Sequence, residues 1–162
     1  MAITREKKEE VRKTIEDILE KAATIVFVNF KGLGVSDTVL MRRRLREKGI
    51  GYYVAKKTLI KMALGTKSFA GEVPVLEGEI ALAYSDDPTA AAREIHSFSK
   101  DFDKKIGIVG GIFEGEYQNK SAMLDIALIP SKEALLAQFV YIINSPIQGF
   151  ASVLYQRAEK QT

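Results

Sequence analysis

The sequence predicts an α+β protein: a head of helices packed on an antiparallel sheet, residues 1–130, followed by one extended, Pro-kinked helix, residues 131–162. Three observations lead there. Short runs rich in β-branched and aromatic residues alternate with segments of helical periodicity. The order strand-helix-strand occurs twice, with a small helix between the halves. The last 32 residues carry no strand signal and keep a heptad-like apolar spacing. Two split strand-helix-strand units are the pattern of a ferredoxin-like α/β sandwich, here expected with its helices on one face of the sheet.

Thr4 is placed to cap a first helix from about Arg5 to Ala22, in which Val11, Ile15, Ile18, Leu19 and Ala22 recur at helical spacing. Thr24 to Phe30 reads as a strand, closed by Lys31, Gly32, Leu33 and Gly34. Ser36 then caps a second helix through Lys48, stopped by Gly49. Gly51 to Ala55 is a short strand, an amphipathic helix follows near Lys57 to Leu64 and ends at Gly65, and Thr66 to Gly78 is a loop rich in turn formers. Glu79 to Tyr84 is the next strand. Asp87 and Pro88 supply a cap and a first-turn proline for a helix whose Ala91, Ile95, Phe98 and Phe102 share a face. Lys105 to Phe113 forms the last strand, and a short helix lies near Ser121 to Ala127.

At 162 residues the chain has room for one compact domain and an appendage. No stretch approaches the roughly 20 apolar residues of a membrane helix, so no membrane association is expected. The opening MAITREKKEE lacks the apolar centre of a secretory signal, which points to the cytoplasm. With no cysteine and one histidine, His96, thiolate chemistry and multi-histidine metal sites are excluded. Phosphate loop, nucleophile elbow and HExxH motifs are all missing, and Gly107, Gly110 and Gly111 lie within a strand-like run, where glycine marks a bulge or a close approach. His96 reads as a structural or surface residue. The expectation is a protein that is not an enzyme, with no cofactor and no metal.

Charge is divided unevenly. Residues 1–65 hold 15 Lys and Arg against 8 Asp and Glu, whereas the remainder holds 9 against 13. A cationic half suits a polyanion, because neutralising phosphates releases counterions; the plain alternative is an unevenly charged solvated surface. The densest cluster is Lys31, Arg42, Arg43, Arg44, Arg46, Lys48, Lys56, Lys57 and Lys61 against Asp37 and Glu47. The arginines spread around a helix, so only some can face one partner. Lys56, Lys57 and Thr58 stand where a strand gives way to a helix, and backbone N–H groups at a helix start reinforce anion binding. Tyr52 and Tyr53 alternate across a strand, which leaves one for the core and the other free to stack on a base.

In the terminal segment Leu136, Val140, Ile143, Ile147, Phe150 and Leu154 step by four and three, and Leu135, Phe139 and Ile142 widen the stripe. Charge is confined to the extremities, at Lys132 and Glu133 and at Arg157 to Lys160. Pro146 predicts a kink or a brief break. The segment either folds back as a core helix or recruits other chains; burying six such side chains stabilises an association by about 1.5 to 3 kcal/mol each before ordering costs.

Taken in order, Phe30-Lys31-Gly32-Leu33, Arg42 to Gly49, Val54-Ala55-Lys56-Lys57-Thr58-Leu59, Leu76-Glu77-Gly78, Gly110-Gly111 with Phe113-Glu114-Gly115, and Ile129-Pro130-Ser131-Lys132-Glu133-Ala134-Leu135 resemble, end to end, the bacterial ribosomal stalk-base family, the tenth protein of the large subunit. The chain departs from the family's usual pattern at Lys57, where Asn is common, and at Glu79, where Pro is common. The resemblance implies a head that binds large-subunit ribosomal RNA beside the eleventh large-subunit protein, and a terminal helix that carries dimers of the acidic stalk protein, which in turn recruit translational GTPases. Carried over residue by residue, it implies RNA contact by Lys31, Arg42, Arg46, Lys56, Lys57 and Thr58, and dimer contact by Phe139, Val140, Ile143, Ile147, Phe150, Val153 and Leu154. A tail that is short for the family implies two dimers. A free RNA-binding regulator with a self-associating tail is the alternative.

Overall fold

Among the described residues eleven elements follow one another: α1 (Arg5–Lys21), β1 (Thr24–Asn29), α2 (Val35–Glu47), β2 (Gly51–Val54), α3 (Lys57–Thr66), β3 (Ile80–Ser85), α4 (Ala90–Asp101), β4 (Gly107–Phe113), β5 (Glu116–Asn119), α5 (Lys120–Leu128) and α6 (Lys132–Glu159). The structure, a computed structural model, describes residues 5–67, 69–71, 73–74, 76, 78–102 and 106–159. Thr4, Glu77, Lys105 and Lys160, used in the sequence reading, lie outside the described residues. The chain forms two compact units, Met1–Ile129 and Pro130–Thr162.

The first unit is built on one five-stranded sheet in the order β2-β3-β1-β4-β5. Every neighbouring pair is antiparallel. Its first four strands have the order of a split pair of strand-helix-strand units, so the α+β class and the ferredoxin-like order read from the sequence hold. Helices, however, cover both faces of the sheet, not one. Val26 and Val28 of β1 meet Met41 and Leu45 of α2, Ile95 and Phe98 of α4 and Met123 of α5, while Ile25 and Phe27 meet Ile15 and Ile18 of α1 and Ile60 and Leu64 of α3. The physical reason lies in β1 itself: a strand with one wet face alternates apolar and polar residues, whereas this one is apolar at every position from Ile25 to Val28, and all four are buried.

Gly110 and Gly111 of β4 serve close approach, as expected, whereas a Cβ on Gly107 would meet nothing within 4 Å. The β1–β4 register slips between Phe27 and Val28, which face Gly110 and Ile108, so Val109 is an extra residue and the inward faces of β4 exchange across it. A Cβ on Gly111 would lie 2.5 Å from the Ile25 carbonyl oxygen and 2.9 Å from Met123 Cε. Strand β5 was not expected. Glu114 and Gly115 both take positive φ, 49° and 86°, and make the two-residue turn that folds Glu116–Asn119 back on β4. Its outer edge is joined at one point by the loop before β3, where the Tyr117 N–H donates to the Ala70 carbonyl at 2.8 Å.

Among the boundaries that differ from the sequence reading, three have a clear local cause. Gly34, in extended conformation, is the N-cap of α2 and accepts from the Thr38 N–H and hydroxyl, so Ser36 lies inside the first turn instead of capping it. The Asp87 carboxylate accepts from the Thr89 N–H at 3.0 Å, a local turn that moves the start of α4 beyond Pro88 to Ala90. Helix α3 continues through Gly65 to Thr66, whose hydroxyl donates to the Met62 carbonyl.

In the second unit Ser131 accepts from the Ala134 N–H at 3.3 Å and opens α6, 28 residues long. The break allowed for at Pro146 is absent: the helix is continuous through it, since proline deletes a single i→i−4 bond and the turns on either side remain. None of its described side chains is buried. Contrary to the sequence reading, this segment is long and apolar enough to match a membrane span by length and composition. Its polar groups argue against lipid on all sides, because Gln138, Ser145, Gln148, Ser152 and Gln156 recur at helical spacing on one side of the helix and would be left unsatisfied there.

Candidate functional site

The basic residues gather around one end of the sheet and along edge strand β2. Lys56 is the N-cap of α3, Lys57 and Thr58 begin its first turn, and no acidic residue stands in that turn. All three side chains are exposed. Together with Phe30 and Glu79 they line a cavity of about 400 Å³. Lys31, also exposed, follows Phe30 in the turn after β1, where its N–H donates to Asn29 Oδ1 at 3.0 Å. The helix start contributes N–H groups with no intrahelical acceptor, so a phosphate here would meet a partial positive charge as well as the two ammonium groups.

On the opposite face of the sheet, α2 presents its arginines unequally. Arg43 pairs with Glu47 at 3.1 Å, and Arg44 pairs with Asp101 at 3.4 Å while lying 5.4 Å from the centre of the Phe98 ring. Lys48 pairs with the buried Glu94. These cations are engaged within the protein. Arg42 and Arg46, one turn apart and exposed, form no ion pair among the described residues. The Arg42 guanidinium stands 5.5 Å from the centre of the Tyr52 ring, within the range of a cation–π contact.

That contact corrects the reading of the tyrosines. Neither Tyr52 nor Tyr53 is free: both are partly buried and pack against the cores on opposite faces of the sheet. Tyr52 carries Arg42 instead of a base. Its hydroxyl is buried without a hydrogen-bond partner, and burial pushes its pKa up to about 12, with the Arg42 charge opposing the shift. A phenol whose pKa is raised on folding contributes stability that is complete below its ordinary pKa of about 10 and lost as the pH climbs from there towards 12. In a spectroscopic alkaline titration Tyr52 is therefore expected to ionise late among the six tyrosines, with the fold weakening over that interval; ionisation of all six near their ordinary value would contradict it.

Glu79 was missed as a site residue. It reaches the cavity from the start of β3, held beside β1 by the Phe30 N–H donating to the Glu79 carbonyl at 3.3 Å, and its exposed carboxylate opposes any phosphate bound at Lys56 and Lys57. Nothing local in the sequence brings residues 56 and 79 together; only the pairing of β2 with β3 does.

The residues assigned to partner contact all lie on α6. Phe139, Val140, Ile143, Ile147, Phe150, Val153 and Leu154 are each more than half exposed. They occupy the half of the helix away from the line of Gln and Ser side chains, so the apolar half runs the length of the segment. Among the described residues no group of three or more His, Cys, Asp or Glu is arranged to hold a metal ion.

Comparison with known proteins bears on this arrangement directly. Residues 3–100 match the family model described as ribosomal protein L10. The large ribosomal subunit protein uL10 of Chromobacterium violaceum is 35% identical over 161 residues, covering 99% of this chain and 98% of its own length. The chain belongs to the ribosomal protein L10 family. The uL10 proteins of Burkholderia ambifaria and Pelotomaculum thermopropionicum agree, at 34% identity over 161 residues and 35% over 154. Membership of the L10 family, along nearly the whole chain, makes this protein a structural constituent of the large ribosomal subunit.

Proposed function

We propose that this L10 protein is the base of the ribosomal stalk, holding large-subunit ribosomal RNA with its first unit and dimers of the acidic stalk protein with α6. Lys31, Arg42, Arg46, Lys56, Lys57 and Thr58 take the RNA phosphates, beside the eleventh large-subunit protein, and the apolar half of α6 takes the dimers that recruit translational GTPases. The observation that carries the reading is the exposure of α6: a 28-residue helix with an apolar half and no buried described side chain. An exposed patch of that extent marks an interface, and about 1.5 to 3 kcal/mol for each apolar side chain covered is enough to offset the cost of association. The apolar half extends on both sides of Pro146, around Phe139 to Ile143 and Ile147 to Leu154, which gives room for one dimer on each stretch.

The test is reconstitution of the full chain with the acidic stalk protein, followed by native mass spectrometry. The expected species holds one L10 chain and two dimers. A defined oligomer of the lone chain that takes up no acidic partner would contradict the proposal.

A further inference from the structure

A second, larger cavity lies between α4, β4 and α5, with a volume of about 760 Å³. His96, Ser99 and Lys100 reach it from one side of α4, and Lys120 reaches it from the first residue of α5, over a floor that includes Ile106 and Leu124. No acidic residue is among its described lining. Lys100 and Lys120 form no ion pair among the described residues, unlike Arg43, Arg44, Lys48 and Lys67, which are all paired. Cationic groups that converge on a recess without counter-charge concentrate anions there.

Strand register places this recess beside the first site. Asn29, the last residue of β1, faces Gly107 of β4 on one side and Ile80 of β3 on the other. Gly107 lines the larger cavity, while Ile80 lines the cavity of Lys56, Lys57 and Thr58. Lys31 follows Asn29 by two residues. The two recesses thus open on the two faces of the sheet at the same end of it, with Lys31 in the turn between them.

We infer that this cavity is a second phosphate-binding site, in which Ser99, Lys100 and Lys120, with His96, take the backbone of the same RNA as it crosses the sheet end. The inference rests on the RNA reading proposed above. Continuity of positive charge around one sheet end favours a polyanion long enough to span both recesses over a short acidic peptide.

The full chain is titrated with bacterial large-subunit ribosomal RNA over a salt series, using three double variants with exposed substitutions: Lys100→Glu/Lys120→Glu, Lys56→Glu/Lys57→Glu, and Lys13→Glu/Lys21→Glu on α1 as a control for net charge. The inference predicts that the first pair weakens binding at least about tenfold more than the control and flattens the salt slope by about 0.7 to 0.9 for each phosphate that is no longer neutralised. If the second pair weakens binding while the first only matches the control, the inference is overturned and the RNA reading stands. If neither pair exceeds the control, both are overturned. Acetylation footprinting supplies an independent readout: RNA is expected to shield Lys100 and Lys120. Shielding by polyglutamate and not by RNA would assign the recess to an acidic protein and overturn the inference.

Discussion

Exchanging Ile143 and Phe150 for Asp is expected to abolish capture of the acidic stalk protein while leaving the first unit folded. The two residues lie seven apart on the apolar half of α6 and are 58% and 68% exposed, so neither substitution opens a cavity within the chain. What they remove is the burial each would undergo against a partner, about 1.5 to 3 kcal/mol apiece. At each dimer site that is a loss of about tenfold to a hundredfold in affinity, and a carboxylate forced into an apolar contact adds to it. Titration calorimetry measures the loss, and thermal melting of the variant reports on the fold. Unchanged affinity would move the partner surface elsewhere.

The second large effect concerns the start of α3. Lys56→Glu with Lys57→Glu is expected to weaken RNA binding and to flatten its salt slope by about 1.4 to 1.8, taking about 0.7 to 0.9 for each phosphate contact. Stability should move the other way. A negative charge in the first turn of a helix is favourable by about 0.3 to 1 kcal/mol, and this turn now holds none. A variant that melts no lower than its parent yet binds RNA poorly separates recognition from folding, which a merely destabilising substitution could not do. A slope unchanged from that of the parent would clear both lysines of phosphate contact.

Much of this architecture was legible in the residues. Strands β1 to β4 announced themselves because each is a short apolar run punctuated by Gly, Pro or Asp, and the order of elements then left few topologies. Helices on both faces were equally visible and were misread: an unbroken apolar strand such as Ile25 to Val28 needs cover on each side. Strand β5 was harder, since Glu116–Asn119 is short and polar and lies at an edge where packing asks little of its side chains; the turn at Glu114 and Gly115 was its one local sign. The site was legible as a list of cations but not as a geometry. The engagement of Arg44 depends on Asp101 and the Phe98 ring, and the placing of Arg42 on the Tyr52 ring, all supplied by other elements. The approach of Glu79 to Lys56 and the meeting of Lys100 with Lys120 are likewise products of strand pairing and helix packing, which no spacing along the chain encodes.

Hydrogen exchange on the full chain, alone and with the acidic stalk protein added, addresses the role of α6 most directly. Amides between Leu135 and Leu154 should exchange rapidly in the free protein and become strongly protected with the partner present, while β1 and β3 remain protected throughout. Amides of α6 already as slow as those of β1 in the free chain, or unaltered by the partner, would contradict a helix whose apolar half is covered by other proteins.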